Sequence, residues 1–261
     1  MTVLNIAFYK FVPVESTEPL AEKLRAFCVE HAIKGSVLLA NEGINGMVAG
    51  STENVHAFQC FLRSDPHFSD IAFKESSSEK IPFRRFVVKQ KEEIVPIGIP
   101  DMNPLHVDAP YMPPKELKAR LDAGEDIILL DTRNTFEYEL GTFKGAKEIG
   151  VRHFRSFAAK VETLPDEWKD KTIVTFCTGG IRCEKAAPYM QSKGFKNAYQ
   201  LEGGILKYFE EVGGAHWVGD CFVFDYRLAV DPELKPANTV QCIHCRNPIT
   251  ENSDTCPSCG V

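Results

Sequence analysis

Apolar positions recur in two rhythms along the chain. As far as about residue 95 they alternate, or repeat with a helical period, in short successive blocks. Alternation across "TVLNIAFY" (2–9) predicts a half-buried strand. Leu20, Leu24, Phe27 and Ala32 share one face of a helix predicted over 18–33. "GSVLLA" (35–40) and "NGMVAG" (45–50) read as strands around the turn "NEGI". Thr52 is placed to cap a second helix, with Val55, Phe58, Cys60 and Leu62 inward. "DIAFKESS" and "FRRFVVKQ" complete the block as strands.

The resulting order, β-α-β-β-α-β, is the split βαβ, ferredoxin-like arrangement. An α+β domain is therefore expected at 1–95. "VPIGIPDMNPLHVDAPYMPP" (95–114) carries six prolines and reads as an ordered linker or surface arm, with 96–110 as the linker proper. From Tyr111 the rhythm changes. "PPKELKARLDAG" is a helix ending at glycine, and "DIILLD" (126–131) and "KTIVTFC" (171–177) are unbroken apolar strands. Strands of that kind belong to parallel sheets covered on both faces. "EKAAPYMQSKG" (184–194) is a helix closed by Gly194, and "NAYQLEGG" holds a third strand. An α/β domain, a parallel sheet with helices on both faces, is expected at 111–213. The remainder, 214–261, is too short and turn-rich to build a core alone.

Composition narrows the function classes. The net charge of −6 argues against coating nucleic acid by bulk electrostatics, although a local basic patch is compatible with it. No apolar run approaches the ~20 residues of a membrane span. The opening "MTVLNIAFYKFVPVES" lacks the features of a secretory signal, so the cytoplasm is the expected location. Nine cysteines, an odd number, argue against a disulfide framework. Cys28 and Cys60 are expected to be buried, inert thiols.

Cys177 differs from these. It ends an apolar strand and leads through Thr178, Gly179, Gly180, Ile181 and Arg182 into a helix. Sites in parallel sheets gather at the carboxyl ends of strands. Free N–H groups and the dipole at a helix start favour an anion, and a thiolate is one. The two glycines let the backbone aim its N–H groups inward, and Arg182 adds a fixed charge.

The stretch "CTGGIR" resembles the six-residue active loop of rhodanese domains. "LLDTRNTFEYELGTFKGAKEIG" (129–150) and "YQLEGGI" (199–205) resemble two further rhodanese segments. The resemblance implies a Cys177 persulfide that carries sulfane sulfur. Phosphatases sharing the fold use a longer Cys-x5-Arg loop, usually after histidine. Here four residues separate Cys177 from Arg182 and Phe176 precedes, so phosphatase action is not expected. Cys183 either resolves an oxidised Cys177 as a disulfide or simply faces the core. Asp131, Arg133 and Glu137 are expected to orient the loop through ion pairs.

"CIHC" (242–245) and "CPSC" (256–259) are two Cys-x2-Cys pairs ten residues apart. Cys242, Cys245, Cys256 and Cys259 suit a structural, tetrahedral zinc site without catalysis. His244 is not expected to be a ligand.

"LLANEGINGMVAGS" (38–51), "HWVGDCFVFDYRLAV" (216–230) and "CTGGIRCEKA" (177–186) together resemble the TrhO family, the UPF0176 or YceA-like rhodanese proteins, over nearly the full length. The resemblance implies an acylphosphatase-like N-terminal domain. It also implies hydroxylation of the wobble uridine (position 34) of tRNA to 5-hydroxyuridine, with O2 as co-substrate and Cys177 as the essential cysteine. No glycine-rich anion loop occupies 9–16, so tRNA binding is a better expectation for the first domain than acylphosphatase activity. Arg84, Arg85, Lys89 and Lys91 lie in an acid-free stretch and are its candidate tRNA contacts, with Phe83 and Phe86 as stacking surface. A charged edge strand that prevents aggregation is the other reading. No flavin, haem or nucleotide motif is present. A sulfurtransferase carrying a persulfide is the alternative function. The oligomeric state is not legible.

Overall fold

The computed structural model describes residues 3–99, 102–250, 255–256 and 259–260. Thr2 of the first expected strand, Pro100 and Asp101 of the linker, and 251–254, 257, 258 and 261 of the tail lie outside the described residues. The chain divides into two compact units, Met1–Pro96 with Phe224–Tyr226, and Ile97–Val223 with Arg227–Val261.

The first unit runs β1 (Val3–Phe11), α1 (Thr17–Glu30), β2 (Lys34–Ala40), β3 (Gly43–Ser51), α2 (Thr52–Arg63), β4 (Phe73–Ser78) and β5 (Phe86–Gln90). Its sheet order is β4-β1-β3-β2-β5. The first four strands pair antiparallel, and β5 adds to the edge parallel to β2. Alternation along β1 sends Leu4, Ile6 and Phe8 into a core with Leu24 of α1 and Val55, Phe58 and Leu62 of α2.

Four local expectations need correction. Ser51, not Thr52, caps α2; its hydroxyl accepts from the Asn54 N–H at 3.2 Å. Cys60 is exposed, because Gln59 takes the inward position on α2. The first helix ends at Glu30, so Ala32 falls in a left-handed turn and is exposed. The strand expected over "FRRFVVKQ" begins at Phe86, so Phe83, Arg84 and Arg85 precede β5.

In the second unit the carboxyl end of the proline-rich arm is ordered. Gln200 donates to Pro110 O from its backbone at 3.0 Å and to Ala109 O from its side chain at 3.1 Å. Then follow β6 (Tyr111–Met112), α3 (Pro114–Asp122), β7 (Ile127–Asp131), α4 (Thr135–Leu140), β8 (Gly141–Phe143), β9 (Lys147–Glu148), α5 (Phe157–Val161), β10 (Thr172–Phe176), α6 (Cys183–Ser192), β11 (Asn197–Leu201) and α7 (Gly204–Val212). The sheet order is β6-β11-β10-β7-β9, parallel throughout. Register places Phe176 of β10 beside Asp131 of β7, so both strands end together at one edge. Helices α6 and α7 lie against β11, with α5 packed on α6 and α3 on α7.

Short ribbons complete the chain: β12 (Trp217–Gly219) on β8, then β13 (Cys221–Phe222) with β14 (Ala229–Val230), and β15 (Thr239–Gln241) with β16 (Pro248–Thr250). Phe143 joins them to the sheet. Its ring meets Phe176, Tyr208 and Trp217 edge-on at 4.9, 4.8 and 5.1 Å. Phe176 is thus core, and only at Cys177 does the chain turn out of the sheet.

Candidate active site

The loop from Cys177 to Arg182 connects β10 to α6. Its outer backbone is held from below by α7. Ile205 N–H donates to Cys177 O and Leu206 N–H to Thr178 O, each at 3.0 Å. Gly204 makes this approach feasible. A Cβ there would lie 2.5 Å from Cys177 O and 2.6 Å from Gly180 N, and its φ is +68°. With those carbonyls tied down, inner N–H groups face the sulfur. Gly180, at φ +99°, donates its N–H to Cys177 Sγ at 3.2 Å. The Arg182 N–H also bonds the sulfur. Thr178 Oγ1 reaches out to Phe222 O at 3.3 Å, and Ile181 is half-buried.

Cys177 is 1% exposed. Burial alone would raise its pKa. The hydrogen bond with Cys183, the Arg182 charge, and the N–H groups of Arg182 and Gly180 outweigh that cost and lower it to about 6. Near neutral pH the sulfur is a nucleophilic thiolate.

Cys183 is the first residue of α6, fully buried and hydrogen-bonded to Cys177. Burial, then the neighbouring thiolate, push its own pKa well up, so it is the protonated donor of the pair. Thr132 Oγ1 lies 3.8 Å from its sulfur and donates to Phe176 O at 3.0 Å. The two readings of Cys183 therefore coincide in space: it faces the core and also touches the reactive sulfur.

Two buried ion pairs frame the loop. Glu137 takes Arg182 on both oxygens, Nη1 to Oε1 at 3.1 Å and Nη2 to Oε2 at 3.0 Å. Its Oε2 also accepts from Asn134 N–H at 3.1 Å, which fixes the carboxylate to the start of α4. Arg133 grips Asp131 through Nε at 2.9 Å and Nη2 at 2.6 Å, and Nη2 also reaches Gly141 O. Thr142 Oγ1 donates to Asp131 Oδ2 at 2.9 Å. Each carboxylate thus has partners beyond its arginine, which such pairs require when they leave water. Asp131 and Arg133 bond each other and the start of β8 at Gly141 and Thr142, at the edge where β7 and β10 end together.

The sequence leaves the place of Cys221 open. It is buried, its thiol bonds Thr178, and burial pushes its pKa up to about 12. No signal in the segment "GDCFVF" could place it there, since only the fold brings 221 beside 178. Cys28 is likewise pushed up to about 12 by burial and lies in the first core.

The four tail cysteines converge apart from this loop. Their sulfurs lie within 4.8 Å of one another, Cys242 to Cys259 at 3.8 Å and Cys245 to Cys256 at 3.6 Å. Sulfurs around a tetrahedral zinc at ~2.3 Å stand about 3.8 Å apart, and a disulfide needs ~2.05 Å. The donor set fits a four-coordinate metal. Arg84, Arg85, Lys89 and Lys91 are all exposed in the first unit. Phe86 is half-buried against the core, and Phe83 is half-buried too.

A strand-end thiolate in a six-residue loop, on a parallel sheet, defines a rhodanese-like protein. Models of two families match: the UPF0176 acylphosphatase like domain over residues 3–94 and the rhodanese-like domain over 113–211. A relative from Cupriavidus metallidurans, named tRNA uridine(34) hydroxylase, is 48% identical across 99% of this chain and 97% of its own. One from Ralstonia nicotianae with the same name is 47% identical across 100% and 97%. Among solved structures, a rhodanese-like domain protein from Staphylococcus aureus matches 38% of this chain and 90% of its own, at 23% identity and a TM-score of 0.33. The chain belongs to the tRNA uridine(34) hydroxylase family. Among the described residues, no helix is long and apolar enough to cross a membrane.

Proposed function

We propose that this protein hydroxylates uridine 34 of tRNA to 5-hydroxyuridine, that O2 supplies the oxygen, and that Cys177 is the reactive group. The observation that carries the role of Cys177 is the cradle: a buried sulfur held by loop N–H groups beside a glutamate-fixed Arg182. The name shared by relatives of near-equal length supports the substrate. Replacing C5–H by C5–OH removes two electrons from the base. With O2 as oxidant, the second oxygen leaves as water and takes two further electrons and two protons from a reductant. Thiols are one class able to give them. Cys183 is the resolving partner: the second oxygen atom of O2 passes to the Cys177 sulfur as a sulfenic acid, the Cys183 thiol attacks that sulfur, the S–O bond breaks, a disulfide forms, water leaves, and an external thiol reduces the disulfide for the next turnover. Thr178 to Arg182 supply the cradle, and Asp131 and Arg133 position it. The tail cysteines hold structural zinc, and the cytoplasm supplies tRNA and reduced thiols.

The alternative is sulfur transfer. The match to the rhodanese-like domain favours it, since the same N–H groups would stabilise a Cys177 persulfide. Nucleosides from tRNA of cells lacking their own 5-hydroxyuridine enzymes separate the readings by mass spectrometry. The intact protein should restore 5-hydroxyuridine and Cys177→Ala should not. Absence of the nucleoside, with purified protein converting thiosulfate and an acceptor, would establish sulfur transfer instead.

A further inference from the structure

One motif is not absorbed by the chemistry at Cys177: "CFVFDYRL" (221–228). It forms the turn between β13 and β14, and its tip, Phe224–Tyr226, belongs to the first unit. Tyr226 N–H donates to Pro82 O at 3.0 Å, which fixes the tip beside the segment that leads into β5. Asp225 between the two aromatic residues is buried at 7% exposure. Tyr226 is 70% exposed and Phe224 is 53% exposed. Burying the acid while presenting the rings is the reverse of what hydropathy alone would select.

The anchor point decides what these rings are for. Pro82 lies two residues before Arg84 and three before Arg85, both exposed. From Lys80 to Lys91 the chain has five basic side chains and no acid; Glu79 and Glu92 bound the run. Among the described residues no ion pair is recorded for Arg84 or Arg85, whereas Lys10, Arg25 and Arg63 of the same unit each engage a carboxylate, a carbonyl or a ring. An exposed amphipathic ring anchored two and three residues before a pair of exposed arginines matches one ligand chemistry: unstacked bases on a phosphate backbone. An acidic peptide would use the arginines and leave the ring idle.

We infer that Tyr226, with Arg84 and Arg85, forms a platform on the first unit that stacks an unpaired base of a single-stranded RNA loop, the ring taking the base and the arginines the flanking phosphates. This rests on the reading that tRNA is the substrate, and names the surface that receives its unpaired nucleotides. It also revises the expected contacts: the stacking ring is Tyr226, remote in sequence, instead of the half-buried Phe83 and Phe86.

The test is fluorescence anisotropy of a labelled anticodon stem–loop RNA, titrated with the full-length protein over a series of KCl concentrations. Tyr226→Ala should weaken binding about 5- to 100-fold, the range for one lost base–aromatic stack, with the salt slope unchanged. Tyr226→Phe should stay within about twofold of the parent. Arg84→Ala with Arg85→Ala should flatten the salt slope by about 1.4, close to 0.7 for each phosphate contact on a single strand. Thermal melting of each variant checks that the fold is intact. If Tyr226→Ala binds the loop as the parent does, or the parent binds blunt duplex RNA as well as the loop, the inference is overturned. Formation of 5-hydroxyuridine by the parent is scored separately. Its presence with unchanged Tyr226→Ala binding sinks the platform alone, and its absence sinks the substrate reading.

Discussion

Two sulfur sites in one chain are built by opposite means. At the loop, a single thiol is surrounded by donors: Gly180 N–H, Arg182 N–H, the Arg182 charge and the Cys183 thiol. In the tail, four sulfurs lie within 4.8 Å of one another, an arrangement that could hold a metal ion. A sulfur surrounded by protein donors remains available to react, while four converging sulfurs offer a ready set of ligands. The supports differ too. The loop stands at the end of a parallel sheet, whereas the tail cluster is built on the short β15–β16 ribbon.

The contrast breaks most sharply at Gly204. Gly204→Ala forces a methyl group into Cys177 O and Gly180 N and strains a positive φ. We expect hydroxylation to fall at least ~100-fold, as misplacement of a reacting group by about 1 Å does, while bound metal, read by inductively coupled plasma mass spectrometry, stays at the parent level. Loss of both would show that the two sites share one folding unit.

The converse experiment removes the metal. A strong chelator, or Cys256→Ser, should make the tail after Asp231 susceptible to limited proteolysis. Alkylation of Cys177 by iodoacetamide should change less than about twofold, because the groups that lower its pKa, Cys183, Arg182 and Gly180, all lie in its own loop and at the start of α6. A tenfold slower alkylation would tie the tail to the thiolate.

Next is charge. Alkylation of Cys177 requires the thiolate, so its rate should be on a plateau above pH 7 and fall as pH drops through about 6. Arg182→Met removes the favourable charge and moves that midpoint upward, lowering the rate at pH 7 by about tenfold. An unmoved midpoint would leave the Cys183 thiol and the N–H groups as the whole explanation.

Cys183→Ala removes the other favourable side-chain partner. Loss of that thiol donor should raise the midpoint at least as far as the arginine change does, a rate decrease of about tenfold at pH 7. The same variant should also fail to form the disulfide that brief peroxide treatment gives the parent, read by intact mass after blocking free thiols.

Much of this was legible because the relevant signals are local. An unbroken apolar strand, a cysteine at its end, two glycines and an arginine occupy twelve consecutive positions, and periodicity supplied the other long strands. Two-residue strands such as β6 and β9 carry no period, so they went unread. The face of Cys60 was misassigned because a helical repeat sets spacing, while the neighbouring Gln59, bonded to Glu75 at 2.7 Å, sets the rotation. The contact of Cys221 with Thr178 and that of Tyr226 with Pro82 are long-range products of the fold. Asp131, Arg133 and Glu137 were legible as ion-pairing residues, but neither which charge each meets nor the hydrogen bonds that make burial tolerable could be read, because both depend on the fold.

The sulfur's partners come from the main chain, the Cys183 thiol and the Arg182 charge, and α7 holds the loop by main-chain bonds. The half-buried Ile181 side chain is none of these and is therefore a spare variable. A designer could vary it to reshape what enters the loop while the nucleophile keeps its acidity, separating the choice of substrate from the power to attack it.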